Sequence, residues 1–482
     1  MKSLLFGAER PKQVMQPDMI SDLKIDLLLP NEVSRFLLLK PEKENILARN
    51  DMFSRMIESG SAISDVTELW ELLSQASLLY KALNRATCEK AETYIFPFLF
   101  KYITRFSEKA AKISGYGERF EDFSELFRSI CESKDFREAS ERSTHIIALM
   151  EKASTIYIKT TGDHTSVLSE SKENITRALT RCASELGITV KQSTGRGFAL
   201  QKSVAEAMAR LMPDDFGEAN EYYLKYRYLV SGEIFEYLEE LTFIKGILEF
   251  THEATEAGIP HSFPRVTEEK KMALSNVYDV TLLRKEGTVI VPNDVDFSEK
   301  EPFYYLTGAN GGGKTTYLRA LGVASLFFLA GAPVFCDGGE SFVFDSVFTH
   351  FPRDERFEGS GRFFDEIRRV KEIIEAQSGN SIVLLNETYA TTGEDKALEY
   401  TAALASDLYD SGCFGLYITH QHETSGSKVP FLGVMIDETD SNRRTYRIEK
   451  RRLPPRSFAK DILEKYGLTP EALAARFPKQ KG

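Results

Sequence analysis

The sequence predicts an α/β C-terminal half built on a parallel sheet, preceded by a mostly α-helical N-terminal half. Three observations carry that prediction. Phe303-Tyr-Tyr-Leu-Thr-Gly-Ala-Asn-Gly-Gly-Gly-Lys-Thr-Thr-Tyr-Leu318 runs from an apolar strand through a glycine-rich turn into a helix. Up to about residue 258 apolar residues recur at three and four spacing, the mark of helices with one buried side. After residue 266 short apolar runs alternate with helical ones, which is the rhythm of a parallel sheet.

The chain has 482 residues, a length that suits roughly two to four domains. A hydrophobic content of 42% is enough for ordinary cores. The net charge of −11 excludes a protein that is basic throughout but leaves room for a local basic surface. Five cysteines are scattered without a C-x-x-C pair, which fits reduced thiols better than a disulfide framework or a zinc site. The opening residues carry no secretory-type apolar run, and no run reaches the length of a membrane span. The expectation is a cytoplasmic protein without membrane attachment.

Taken in order, residues 1–30 are mixed, with Pro11, Pro17 and Pro30 interrupting any long helix. Helical text runs from Asn31 to Ala153, with Leu69, Leu72, Leu73, Ala76, Leu79 and Tyr80 marking one buried side. A small β element is expected near 154–201. It comprises Ser154–Lys159, then Gly187–Lys191 and Phe198–Gln201 as a hairpin around Gly195 and Gly197. Helices return from Val204 to about Gly258. There Tyr222, Tyr223, Tyr226, Tyr228 and Tyr237 cluster with Lys225 and Arg227. Such interleaving can stack nucleic-acid bases, but helical spacing favours a buried aromatic side under a solvated face. Pro260, Pro264 and the charged run Glu268–Lys271 set a boundary, giving domains 1–265 and 266–482. Strands are expected at Gly287–Val291, Pro302–Thr307, Pro333–Cys336, Ser341–Thr349, Ser381–Leu385 and Gly415–Thr419.

Gly308, Gly313, Lys314 and Thr315 fit the P-loop spacing G-x-x-x-x-G-K-[ST]. The glycines let the backbone N–H groups of Gly308, Ala309, Asn310, Gly311, Gly312 and Gly313 turn inward around phosphate oxygens. The helix that opens at Lys314, Thr315 and Thr316 adds its positive end at the same place. Lys314 can reach the outer phosphates of ATP, and the Thr315 hydroxyl can bind Mg2+. Ser381-Ile-Val-Leu-Leu-Asn386-Glu387 reads as a Walker B strand. Its first polar residue, Asn386, can accept from a metal-bound water but brings no negative charge. Glu387 can orient or deprotonate the attacking water, so slow hydrolysis is expected. Leu416-Tyr-Ile-Thr-His420 is a buried-type strand ending at the position where ABC-type ATPases sense the γ-phosphate. Between the two motifs, Glu358-Gly-Ser-Gly-Arg-Phe-Phe-Asp-Glu366 opens a helix. Ser360 and Gly361 there form a second candidate anion site, of the kind that reaches the nucleotide of a partner subunit.

With these motifs in place, the block from Ile290 to His420 resembles the ATPase domain of the MutS mismatch-repair family. Thr307-Gly-Ala-Asn-Gly-Gly-Gly-Lys-Thr-Thr-Tyr-Leu-Arg319, Thr419-His-x-x-Glu423 and Ser457-Phe-Ala-x-x-Ile-Leu-x-Lys-Tyr-Gly-Leu468 are close to the family's own runs. Val291-Pro-Asn-Asp294 resembles its nucleotide-side segment, which implies contacts from Ile290 and Asn293. The helical half is similar in kind to the family's core, lever and clamp region. The resemblance implies an ABC-type P-loop NTPase that binds ATP and Mg2+ and works as a homodimer. It also implies sequence-independent DNA binding in mismatch repair or a related repair or recombination process. Several departures set the chain apart. It is too short to hold mismatch-reading and connector domains before its helices, and it lacks the family's Gly-x-Phe-Tyr/Phe-Glu wedge. The family's trans-segment Ser falls on Gly361, one place from Ser360, and Asn386 replaces the Walker B Asp. A nucleotide-gated DNA-binding or scaffold protein with little turnover is therefore the alternative.

Overall fold

The computed structural model describes residues 2–7, 10–12, 15–153, 156–161, 164–170, 202–285, 287–352, 362–389, 394–419, 427–436 and 444–451, with positions 469, 472 and 476 beyond them, some by backbone alone. The chain divides into two compact units. One holds Met1–Ala8 and Arg55–Lys245; the other holds Glu9–Ser54 and Gly246–Gly482. The division follows packing rather than a single cut in the sequence.

The first unit is helical. Helices Ala62–Asn84, Glu89–Ala110, Glu118–Glu132, Lys134–Ala153, Lys202–Leu211 and Pro213–Tyr226 form it, with a small antiparallel hairpin of β1 (Ile156–Thr161) and β2 (His164–Glu170). Helix Glu89–Ala110 supplies the centre because Tyr94, Phe96, Leu99, Phe100, Ile103 and Phe106 all fall on its buried sides. The tyrosine cluster is core: Tyr222 and Tyr226 are fully buried, and Tyr222 donates from its hydroxyl to the Ala139 carbonyl at 3.0 Å. Tyr228 is the exception; it lies exposed and donates to Asp135. Of the strand expected at Ser154–Lys159, residues 156–159 fall in β1, while the hairpin expected at residues 187–201 lies outside the described residues.

The second unit carries two sheets. The smaller has the order β3-β7-β4-β5, with β3 at Arg265–Val266, β4 at Lys271–Val277, β5 at Asn293–Ser298 and β7 at Gly338–Ser341. The larger has the order β12-β11-β6-β10-β9-β8. Its strands are β6 (Phe303–Thr307), β8 (Val347–His350), β9 (Ile382–Asn386), β10 (Phe414–Ile418), β11 (Phe431–Ile436) and β12 (Arg444–Lys450). Strands β11, β6, β10, β9 and β8 are parallel, and β12 closes the edge antiparallel. Every residue of β6, β9 and β10 is buried, which is why these strands read as unbroken apolar runs rather than alternating ones. Helix Lys314–Leu329 is buried along almost its whole length. Elsewhere Val370, Ile373, Leu404 and Leu408 join a core with Phe303, Tyr305, Val383 and Tyr417.

Three expected strands are corrected. Residues 287–292 are irregular and the ladder begins only at Asn293. Gly287 turns the chain at φ +71°, and Pro292 has no N–H to give a ladder. Pro333–Cys336 contributes one isolated bridge, between Val334 and Ser262. Ser341–Thr349 breaks in two, because Asp345 bonds to the Asn380 carbonyl between β7 and β8. Among the described residues no helix is long and apolar enough to cross a membrane.

Candidate functional site

Parallel register lines up the ends of three central strands. Leu306 of β6 pairs with Ile418 of β10, and Ile418 pairs with Asn386 of β9. The residues that follow, Thr307, Thr419 and Glu387, therefore emerge side by side at the carboxyl edge of the sheet, where ligands of open α/β sheets bind.

After β6 the chain makes the glycine turn. Gly308, Gly311 and Gly313 have φ of +140°, +71° and +98°, a region that residues with a Cβ rarely adopt. Space excludes side chains as well. A Cβ on Gly308 would lie 2.8 Å from Val434 Cβ, and one on Gly312 would lie 2.9 Å from both the Ala309 carbonyl and Val434 Cγ1. Strand β11 thus presses on the turn from behind. Ala309 is buried and Asn310 exposed, while Thr315 and Thr316 are half-buried at the first turn of the helix.

Lys314 is 5% exposed. Its Nζ donates to the carbonyl oxygens of Gly308 at 2.9 Å and Ala309 at 3.2 Å, and to Asn310 Oδ1 at 3.4 Å. Burial pulls its pKa below the usual lysine value; the Glu387 carboxylate works against that shift and Arg444 adds to it. The lysine thus lies inside the turn whose N–H groups would hold an anion.

At the end of β9, Asn386 is buried and its Oδ1 has no hydrogen-bond partner among the described residues. A buried carbonyl oxygen left open is costly, and it is the kind of acceptor a hydrated cation satisfies. Glu387 and Tyr389 follow with φ of +50° and +67°. Several bonds hold this strained turn. Glu387 N donates to the Ile418 carbonyl at 3.0 Å. Thr388 Oγ1 lies 3.1 Å from His350 Nδ1, and the Tyr417 hydroxyl donates to the Thr388 carbonyl at 3.0 Å. His420, Ser360 and Gly361 lie outside the described residues.

A cleft of about 380 Å³ opens beside the turn, lined by Gly313, Thr316, Tyr317 and Ala320 on the helix and by Val289, Val291 and Asn293 opposite. Asn293 has its side chain engaged: Nδ2 donates to the Tyr446 carbonyl at 3.0 Å, and Oδ1 accepts from Ile448 N at 2.8 Å. It thereby holds β12 at the cleft, with Tyr446, at φ +57°, beside Gly313. Ile290 is half-buried between Val289 and Val291. Val434 and Tyr446 were invisible to motif reading, because they contact the turn from strands more than a hundred residues away.

The family model for MutS domain V matches residues 304–450. DNA mismatch repair protein MSH2 of Saccharomyces cerevisiae is 30% identical over 183 residues, 37% of this chain and 19% of that one. Endonuclease MutS2 of Streptococcus suis is 28% identical over 212 residues, 43% of this chain and 26% of that one. Endonuclease MutS2 of Streptococcus thermophilus is 27% identical over 237 residues, 48% of this chain and 29% of that one. The matched stretch therefore spans less than a third of the length of these relatives.

Proposed function

We propose, from the match of residues 304–450 to the family model for MutS domain V, that this chain binds and slowly hydrolyses ATP with Mg2+, as a cytoplasmic homodimer that holds DNA through its phosphates. The single observation that carries the reading is Lys314, buried inside a turn of three positive-φ glycines at the start of a buried helix. That geometry suits an anionic phosphate chain and little else.

The roles follow from chemistry. The N–H groups of residues 308–313 hold phosphate oxygens, and Lys314 exchanges its carbonyl partners for the outer phosphates. The Thr315 hydroxyl and Asn386 Oδ1 are the groups that would hold the metal, Asn386 by accepting from a metal-bound water. Mg2+, when bound, draws charge from the phosphates and favours departure of the terminal one. Glu387 orients and deprotonates water, and His420 contacts the γ-phosphate. Ser360 and Gly361 complete the site of a partner subunit. ATP-driven closure of the two subunits then moves the helical units. DNA is held by basic side chains on phosphates, without reading of sequence, in mismatch repair or a related repair or recombination process.

Equilibrium titration with ATP tests the reading: saturable binding to the wild type and none to Lys314→Ala. Asn386 favours a second reading, a nucleotide-gated DNA-binding or scaffold protein with little turnover, since an amide leaves the metal one negative charge short. Phosphate release in the presence of Mg2+ separates the two.

A further inference from the structure

Strand β9 lies between β8 and β10, and the turn that ends it is tied to both neighbours. His350, the last residue of β8, and Tyr417 of β10 each pair with Leu385, one on either side. Three residues on, both meet at Thr388. His350 Nδ1 lies 3.1 Å from Thr388 Oγ1. The Tyr417 hydroxyl donates to the Thr388 carbonyl at 3.0 Å, which leaves Thr401 Oγ1, 3.2 Å from that hydroxyl, to donate to it in turn. Thr388 is thus gripped by its side chain from one strand and by its backbone from the other. His350, Thr388, Thr401 and Tyr417 are all buried. Packing alone does not ask for this set, since aliphatic side chains would fill the same space without the cost of dehydrating a hydroxyl and an imidazole. What the bonds add is a fixed orientation.

Orientation matters here because of the two residues on either side. Thr388 stands between Glu387 at φ +50° and Tyr389 at φ +67°. Left-handed backbone is unfavourable for any residue with a Cβ, and the surroundings must hold it in place. For Glu387 the backbone angle decides where the carboxylate goes. A return from φ +50° to an ordinary right-handed value would turn its Cβ by roughly 110° about the N–Cα bond. In the held conformation the carboxylate lies within electrostatic reach of the Lys314 ammonium, which sits inside the glycine turn. The glycine turn itself is braced separately, by Val434 and Tyr446.

Resting on the reading above, in which Glu387 orients and deprotonates water, we propose that His350 and Tyr417 are positioning residues for Glu387. By gripping Thr388 from two strands they keep the carboxylate turned toward the glycine turn. Both act through Thr388 rather than on the nucleotide, so they set the rate of hydrolysis and leave ATP binding to the separately braced turn.

Equilibrium titration with ATP and single-turnover phosphate release with Mg2+, on the full chain, test this. Thr388→Val removes the hydroxyl that meets His350 and keeps the shape; Tyr417→Phe removes the hydroxyl that meets the Thr388 carbonyl. Each should slow phosphate release by about tenfold or more, the scale set by misplacing a reacting group by a fraction of an ångström to one ångström, with ATP affinity kept within a few-fold. Thr388→Ser, which restores the hydroxyl, should recover most of the rate. Added to Glu387→Gln, Thr388→Val should cost nothing further, because the group it positions is already gone. Unchanged release in either folded variant would overturn the proposal. So would a further loss on top of Glu387→Gln, or a slowing matched by an equal loss of ATP affinity, which would mean general disturbance of the site. Should Thr388→Val not fold, Tyr417→Phe, one oxygen smaller, decides alone and in the same way. A wild type that binds ATP and releases no phosphate would overturn the proposal and leave the nucleotide site standing, whereas one that binds no ATP would overturn the nucleotide reading as well.

Discussion

Lys314 Nζ donates a 2.9 Å hydrogen bond to the carbonyl oxygen of Gly308, six residues back along the chain and across the mouth of the glycine turn. The ammonium is thereby held in a dehydrated place, and its pKa lies below the usual lysine value chiefly because of burial. The sign follows from linkage. A lysine with a lowered folded pKa binds fewer protons in the native state than in the unfolded one, so it costs stability below its folded pKa. That cost is relieved as pH rises from the folded pKa toward 10.5. Lys314→Met should therefore leave the nucleotide-free protein at least as stable at neutral pH, while weakening ATP binding by a hundredfold or more, a rough figure for losing a charged phosphate ligand. Thermal melts without nucleotide and ATP titrations read the two effects separately. A large loss of stability without nucleotide would show that the carbonyl bonds outweigh the dehydration.

Under the proposed function, Asn386 would offer the metal a neutral oxygen where a carboxylate would bring charge. One added negative charge about 5 Å from a divalent ion gains several kcal/mol at an effective dielectric of 20, before the cost of dehydration. Asn386→Asp should lower the Mg2+ concentration for half-maximal phosphate release by about tenfold or more, and raise turnover. Identical magnesium curves for the two proteins would remove Asn386 from the metal site.

Glu387 stands at φ +50° on a turn tied to β10 through its own N–H. Residues in such sparsely populated conformations persist where the surroundings over-determine them. Glu387→Gln keeps size and hydrogen bonding but removes the proposed base. Phosphate release should fall by about a hundredfold or more, with ATP affinity kept within a few-fold. An unchanged rate in single-turnover measurements would mean that another group activates the water.

Much of this site is legible in the chain itself. The spacing from Gly308 to Thr315 fixes the turn because only glycine tolerates its backbone, and the all-apolar runs of β6, β9 and β10 follow from burial on both faces. What stays hidden has no local pattern. Val434 and Tyr446 close on the turn from β11 and β12. Tertiary packing alone places them. The apolar run at Val289–Val291 misleads for a similar reason: it lies along a cleft rather than within a ladder, and Val289 is 82% exposed. Nor does sequence order reveal that Glu9–Ser54 packs with the C-terminal part of the chain.

That packing has a buried polar centre. Asp22, in the short helix Asp18–Asp22, accepts at Oδ2 from Thr349 Oγ1 at 2.8 Å and from Arg369 Nη2 at 2.6 Å. Arg369 also donates to the carbonyls of Phe351 and Thr349. The side chains of Asp22 and Arg369 are 4% and 11% exposed, so solvent screens the pair little. Removing one partner strands the other charge in a dry place, at a cost of about 3–5 kcal/mol. Asp22→Ala and Arg369→Ala should each lower the urea midpoint by that equivalent, whereas the double variant should lose less than the sum of the two. Additive losses would mean that the residues contribute separately. Equality of the double variant with either single one would mean that the pair acts as a unit, tying the strand beside β9 and the helix Arg362–Ala376 to the N-terminal segment.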